Sequence, residues 1–215
     1  MAVGVVSKIV VAVDGPAGSG KSSVSKQVAR QLGFDYLDTG AGYRAFAIYH
    51  ENNQQLGLDK MIAEYDYFIS VDPDNPLVMV EGIDVTEEIR SERVSKLVSA
   101  IARQEMVRKL QFDDARMRIA ASTKPGIVVE GRDITTVVAP DATLKVLLTA
   151  SQSVRLERRG LEGAEPSVNI LARDLSDSQV VDFITPAKGV SLLDTTEMNF
   201  QQSVAALITM IEEVS

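Results

Sequence analysis

Residues 9–22 read Ile9-Val10-Val11-Ala12-Val13-Asp14-Gly15-Pro16-Ala17-Gly18-Ser19-Gly20-Lys21-Ser22, and this stretch decides the fold. The β-branched run from Lys8 to Asp14 has the length and residue types of a short buried strand, closed by Asp14-Gly15-Pro16. Gly15 to Ser22 then fits the pattern G-x-x-x-x-G-K-[ST] at every position. Glycines permit torsions that aim successive N–H groups into one concavity, and a helix starting near Ser22 points its partial positive end at the same spot. Lys21 can reach the β- and γ-phosphates of a nucleotide, and the Ser22 hydroxyl can ligate Mg²⁺. A glycine-rich turn can match such a pattern by chance. Here a buried strand precedes it, and a helix repeating Val24, Val28 and Leu32 and stopped by Gly33 follows, which is the context the motif requires.

Outward from the loop, Phe34 to Leu37 reads as a second strand and Gly40 to Asn52 as a second helix. Further strands are predicted at Ile127 to Val129, Leu144 to Leu148 and Val190 to Leu193. Helices are predicted at Glu105 to Ser122, Ser151 to Arg159, Ser167 to Leu175 and Phe200 to Val214. Strands alternating with helices predict an α/β fold of three layers, α/β/α, around a five-stranded parallel sheet. The middle differs: Tyr67 to Val71, the turn Asp72-Pro73-Asp74-Asn75-Pro76 and Leu77 to Val80 read as two strands joined by a turn, which predicts a small β-containing insert.

The 215 residues suffice for a sizeable core, burying about 70% of the unfolded chain's surface. There is no cysteine, so disulfides, thiolate metal sites and cysteine nucleophiles are excluded; His50 is the one histidine, so a multi-histidine metal site is excluded too. The net charge of −8 disfavours a polynucleotide partner, because that binding rests on neutralising phosphates, yet leaves room for a small phosphate compound in a local basic pocket. The opening residues lack the apolar core of a signal peptide, and no run approaches the ~20 apolar residues that span a bilayer, so a soluble, cytoplasmic protein is expected.

Three further elements bear on the site. Glu130 ends an apolar strand, where a carboxylate can hold Mg²⁺ or its water, and Glu130-Gly131-Arg132-Asp133 packs two acids and an arginine into one turn. Asp38-Thr39-Gly40-Ala41-Gly42-Tyr43-Arg44 follows the second strand and offers a guanidinium fork, an aromatic face and a hydroxyl; the plainer reading is a capped helix with Tyr43 in the core and Arg44 at the surface. Arg155, Arg158 and Arg159, with Arg173 and Asp177 beyond, form a basic cluster suited to a closing lid, or else a solvated helix face. His50, Asp113 and Asp114 read as surface residues, and the methionines as core filler. A guanine-reading N-K-x-D segment is absent, as is any signature of a transporter or motor ATPase, which leaves a small-molecule kinase.

The chain resembles the bacterial cytidylate kinases of the nucleoside monophosphate kinase family. The resemblance is carried by Val13 to Ser22, Leu37 to Arg44, Gly131-Arg132-Asp133 with Thr136-Val137-Val138, Pro140-Asp141-Ala142, Arg173-Asp174 with Asp177-Ser178, and Leu193-Asp194-Thr195-Thr196. It implies a P-loop kinase core over 1–58 and 105–215, a nucleoside-monophosphate-binding insert over 59–104 and a lid over about 155–182, in one functional domain. It implies ATP-dependent phosphorylation of CMP and dCMP with Mg²⁺ as cofactor, by a monomer whose partners are small nucleotides, with neither polynucleotide nor membrane involved. By the same resemblance Gly15, Pro16, Ala17, Gly18, Ser19, Gly20, Lys21, Ser22 and Ser23 wrap the ATP phosphates. Thr39, Tyr43, Arg44, Ser99, Arg108, Arg132, Asp133, Arg173 and Asp177 hold the acceptor. Lys21, Arg132, Arg155 and Arg159 supply charge during transfer, and Ser22 holds the metal with Glu130 acting through water. Departures stand at Val180, where the lid pattern has an arginine, at Gly42, where a larger apolar residue is usual and a looser acceptor pocket is expected, and at Glu130, in place of aspartate. The alternatives are a P-loop kinase of another small acceptor and a nucleotide-binding homologue weakened by Val180.

Overall fold

The computed structural model describes residues 8–161 and 185–215. Arg173, Asp177 and Val180, the helix expected at Ser167 to Leu175, most of the expected lid and the side chain of Arg159 lie outside that description.

Strand β1 (Ile9–Asp14) is the middle of a five-stranded sheet. β6 (Gly126–Gly131) and then β2 (Asp35–Asp38) lie on one side of it, β7 (Leu144–Thr149) and β8 (Ser191–Asp194) on the other, and every pairing is parallel. Alternation along β1 and β6 splits the interior in two, as a period of two requires. Val11, Val13 and Val128 pack against α1 (Lys21–Leu32) and the last helix α7 (Phe200–Glu212). Ala12, Ile127 and Val129 face α2 (Thr39–Asn52) and α5 (Glu105–Ala121). Strands buried on both faces explain why 127–129 reads as an unbroken apolar run. Gly33 closes α1 in the left-handed region, at φ 66°, its N–H bonding back to Ala29 and Arg30.

The segment between α2 and α5 holds α3 (Leu58–Glu64), an antiparallel sheet of β3 (Tyr67–Ile69), β4 (Val78–Val80) and β5 (Ile83–Asp84), a 3₁₀ turn (Glu88–Arg90) and α4 (Glu92–Ile101). Ser91 caps α4 by accepting from the Val94 N–H. Met61, Ile69, Val78, Ile89 and Val94 join Phe46, Ile48 and Tyr49 of α2 in one core. Arg30 reaches across to Asp74 and to the Pro73 carbonyl, and the Tyr36 N–H bonds Val71, so this segment also covers the outer edge of β2.

Two surface expectations fail. Asp114 is a half-buried partner of Arg118 at 2.8 Å, because α5 turns this carboxylate toward Tyr67 rather than to water. His50 is half-buried against Phe46. The methionines divide, with Met61 in the core and Met106 and Met117 exposed.

Candidate active site

The loop after β1 is held by contacts that only glycine tolerates. A Cβ on Gly15 would stand 2.1 Å from the Leu148 carbonyl oxygen, and Gly18 and Gly20 take φ of 73° and 90°, in the left-handed region. Gly20 is the N-cap of α1, so Lys21 and Ser22 open the helix at its positive end.

Lys21 and Ser22 converge on Glu130 at the end of β6. The Lys21 ammonium lies 3.6 Å from one carboxylate oxygen, the Ser22 hydroxyl donates to the other at 2.7 Å, and the Tyr36 hydroxyl donates there at 3.3 Å. Glu130 is almost fully buried. Burial pushes its carboxyl up and pulls the Lys21 ammonium down, and each charge counters the shift of the other. Thr39 donates to the Glu130 carbonyl at 2.9 Å, which fixes the start of α2 against the same strand end.

Asp14 performs a task with no local signature. Its carboxylate accepts from the Ile134 and Thr135 N–H groups at 2.8 and 2.9 Å and from the Thr135 hydroxyl at 2.6 Å. It thereby orients the π-helical turn Ile134–Val138 that follows Gly131-Arg132-Asp133. Burial raises the Asp14 carboxyl, and these donors oppose the rise.

A pocket opens beside the loop. Lys21 and Ser22 line it from α1, Thr39, Tyr43 and Arg44 from α2, Ser99 from α4, Arg108 from α5, and Glu130, Arg132 and Asp133 from the end of β6. Residues separated by up to 112 positions in the chain thus meet at the carboxyl edge of the parallel strands, where α/β sheets place their ligands. Arg108 lies 3.4 Å from Asp133. Burial, with Asp14 nearby, lifts the Asp133 carboxyl to about 6 against the pull of Arg108. Burial likewise raises the Tyr43 phenol.

The pocket has a wall that sequence reasoning did not assign. Arg90, from the 3₁₀ turn, donates to Asp38 at 2.8 Å, while the other Asp38 oxygen caps α2 through the Ala41 N–H at 3.1 Å. Burial alone would raise Asp38; Arg90 and then Arg44 outweigh it and hold the carboxyl below its ordinary value. Nothing near Arg90 in sequence marks it, since its partner lies 52 residues away.

Two expectations change. Gly42 does not loosen the pocket: Gln111 fills the space, and a Cβ on Gly42 would stand 2.3 Å from its amide oxygen. The arginines of α6 (Gln152–Leu161) are not a solvated face either. Arg155 donates to the Ala17 carbonyl and Arg158 to the Ser19 carbonyl, both at 2.9 Å, so both guanidiniums reach the backbone of the loop, and neither lines the pocket. Ser23 is exposed and lines a separate cleft between α1 and the small sheet.

Among the described residues no helix is long and apolar enough to cross a membrane, and no three acidic or histidine side chains gather as a metal cluster. The cytidylate kinase family model matches residues 11–213. The cytidylate kinase of Cutibacterium acnes is 41% identical, covering 95% of this chain and 96% of the relative. That of Thermotoga maritima is 39% identical, covering 94% and 96%. Among solved structures, a gluconokinase from Sinorhizobium meliloti superposes with a TM-score of 0.53 at 16% identity, covering 95% of this chain and 92% of the other. A Thermus thermophilus structure gives 0.54 at 17% identity, covering 97% and 98%. At that identity the two structures are alike in fold.

Proposed function

The chain belongs to the cytidylate kinase family, and from that membership we infer that it transfers the γ-phosphoryl group of ATP to CMP or dCMP, yielding ADP and CDP or dCDP. The observation that carries the reading is the pocket itself. Lys21, Arg44, Arg108 and Arg132 put positive charge beside the loop, with the Asp133 carboxylate among them. The acceptor phosphate oxygen is already a nucleophile, so no catalytic base is needed, and the protein's task is alignment and charge stabilisation. Lys21 follows the migrating group. Arg44 and Arg132 hold the acceptor phosphate, and Ser99, Arg108 and Asp133 read the base. The lobe over 59–104 supplies Ser99 and the Arg90 wall, while Arg173 and Asp177 are further acceptor contacts. A cytoplasmic location is part of the same reading.

The donor set fits Mg²⁺: one hydroxyl and one carboxylate, 2.7 Å apart, suit a hard cation that keeps most of its ligands as water and phosphate oxygen. Ser22 would hold the ion and Glu130 its water, and when bound it neutralises charge on the β- and γ-phosphates.

An acceptor panel of CMP, dCMP, UMP, AMP and shikimate, each with ATP and followed by coupled ADP release, tests the reading. Turnover is expected to be fastest with CMP or dCMP; turnover confined to another acceptor overturns it.

A further inference from the structure

Arg158 uses all four N–H groups of its two terminal nitrogens on the protein. Nη1 donates to the Ser19 carbonyl at 2.9 Å and the Thr195 hydroxyl at 3.0 Å. Nη2 donates to the carbonyls of Thr195 and Met198 at 2.9 and 3.1 Å. The Thr195 hydroxyl in turn donates to Thr149 at 3.0 Å, so the guanidinium is braced between the loop, the end of β7 and the chain leaving β8. It has no Nη donor left for a phosphate, and its position close to the nucleotide loop needs another explanation.

Peptide geometry supplies one. No peptide among the described residues is cis, and across a trans peptide the C=O and the next N–H point in opposite directions. With the Ser19 carbonyl held by Arg158, the Gly20 N–H points away from α6. With the Ala17 carbonyl held by Arg155, the Gly18 N–H does the same. Neither of these two N–H groups meets a protein acceptor among the described residues. Glycine adopts either orientation of its peptide at little cost, so an unbraced loop would spend time with these donors turned outward.

We propose that Arg158 is a positioning residue for the donor nucleotide: it pins the Ser19 carbonyl outward and so aims the Gly20 N–H at the triphosphate, with Arg155 doing the same for Gly18. The charged donor also polarises the peptide it holds, which strengthens the opposite N–H as a donor. This rests on reading the loop as a nucleotide site, and not on which acceptor is used.

The test is calorimetric titration of tripolyphosphate and, separately, of CMP into wild type, Arg158→Ala and Arg158→Lys, with circular dichroism to confirm folding. Arg158→Ala is expected to weaken tripolyphosphate about tenfold, in line with the weakening of one hydrogen bond to a charged group, and to leave CMP within about twofold. In kinetics the KM for ATP should rise while the KM for CMP holds. If Arg158→Ala does not fold, Arg158→Lys decides, because an ammonium can hold one carbonyl but not this whole set; it should lose tripolyphosphate affinity severalfold with CMP binding unchanged. Tripolyphosphate affinity equal to wild type in the folded variant, or parallel loss of both ligands, overturns the proposal. Wild type that binds tripolyphosphate yet forms no CDP overturns the function inferred above and leaves this proposal to the ratio of affinities. Wild type that binds no tripolyphosphate overturns both.

Discussion

Lys21 and Glu130 are a buried ion pair in which each member makes the other tolerable. Lys21→Met should therefore remove charge from the migrating phosphoryl group and lower kcat by about 10²–10³-fold, with the far-ultraviolet spectrum unchanged. Coupled-assay turnover near wild type would sink the assignment. Asp133 gives a second prediction at this scale. Its carboxyl is lifted to about 6 from an ordinary 3.8, so the native state holds this proton more tightly than the unfolded chain does. Its contribution to stability is thus greatest at acid pH and is lost as pH rises through about 6. In the role proposed for Asp133, the ionised carboxylate is the stronger acceptor for an amino group on the base, so kcat/KM for CMP should fall as pH drops below about 6. Arg108→Met should move that limb to higher pH, and Asp133→Asn should abolish it; a limb that neither variant shifts belongs to another group. Lys21 and Ser22 were legible because their neighbours in sequence are their neighbours in space. Arg90 was not, and Arg158 was legible as one of a basic cluster but not by its partners, because a long flexible side chain spends its charge on groups that only the tertiary fold brings near.

At the scale of elements, α2 and α5 meet through Gly42 and Gln111. Read alone, a glycine within α2 suggests slack; the facing helix removes it. Gly42→Ala should cost about 1–3 kcal/mol by overpacking. In a Gln111→Ala background the same change should instead stabilise by up to about 1 kcal/mol, since alanine is the better helix former. Urea denaturation of the four proteins measures the coupling, and an equal cost of Gly42→Ala in both backgrounds would refute the contact. The existence of most elements followed from periodicity and turn residues, as with Gly33 after α1 and the turn at 72–76 before β4. Boundaries differ by one or two residues where no cap marks them: β8 is expected from Val190 to Leu193 and runs Ser191–Asp194, and β3, expected to reach Val71, ends at Ile69. The short helix α3 went unread, since Leu58 to Glu64 has room for barely two turns of periodic pattern.

For the whole molecule, the stretch between α2 and α5 is an interruption in sequence and a continuation in space. Its Met61, Val78 and Ile89 share a core with Phe46 and Tyr49, and Arg30 ties its turn to α1. Thermal unfolding should therefore be one transition, seen alike by far-ultraviolet circular dichroism, which is dominated by the main sheet and helices, and by the emission of a tryptophan introduced as Phe68→Trp at the exposed Phe68 of β3, the chain having no tryptophan of its own. Midpoints separated by several degrees would show two independent units. The alternation of strand and helix predicted the layers but not this shared core, because an apolar residue in a strand pattern does not declare which helix will cover it.

The register of β1 has a final implication. Ile9 pairs with Gly126 and Asp14 with Gly131, so β1 finds its first partner strand 117 positions further along the chain, after the whole of the intervening stretch has been made. Until then the glycine turn has no carboxylate from Glu130 opposite it and no neighbour to flatten against. Nascent protein should thus gain the ability to capture nucleotide late and abruptly during synthesis, and in the interval an apolar ribbon awaits either its mate or a chaperone.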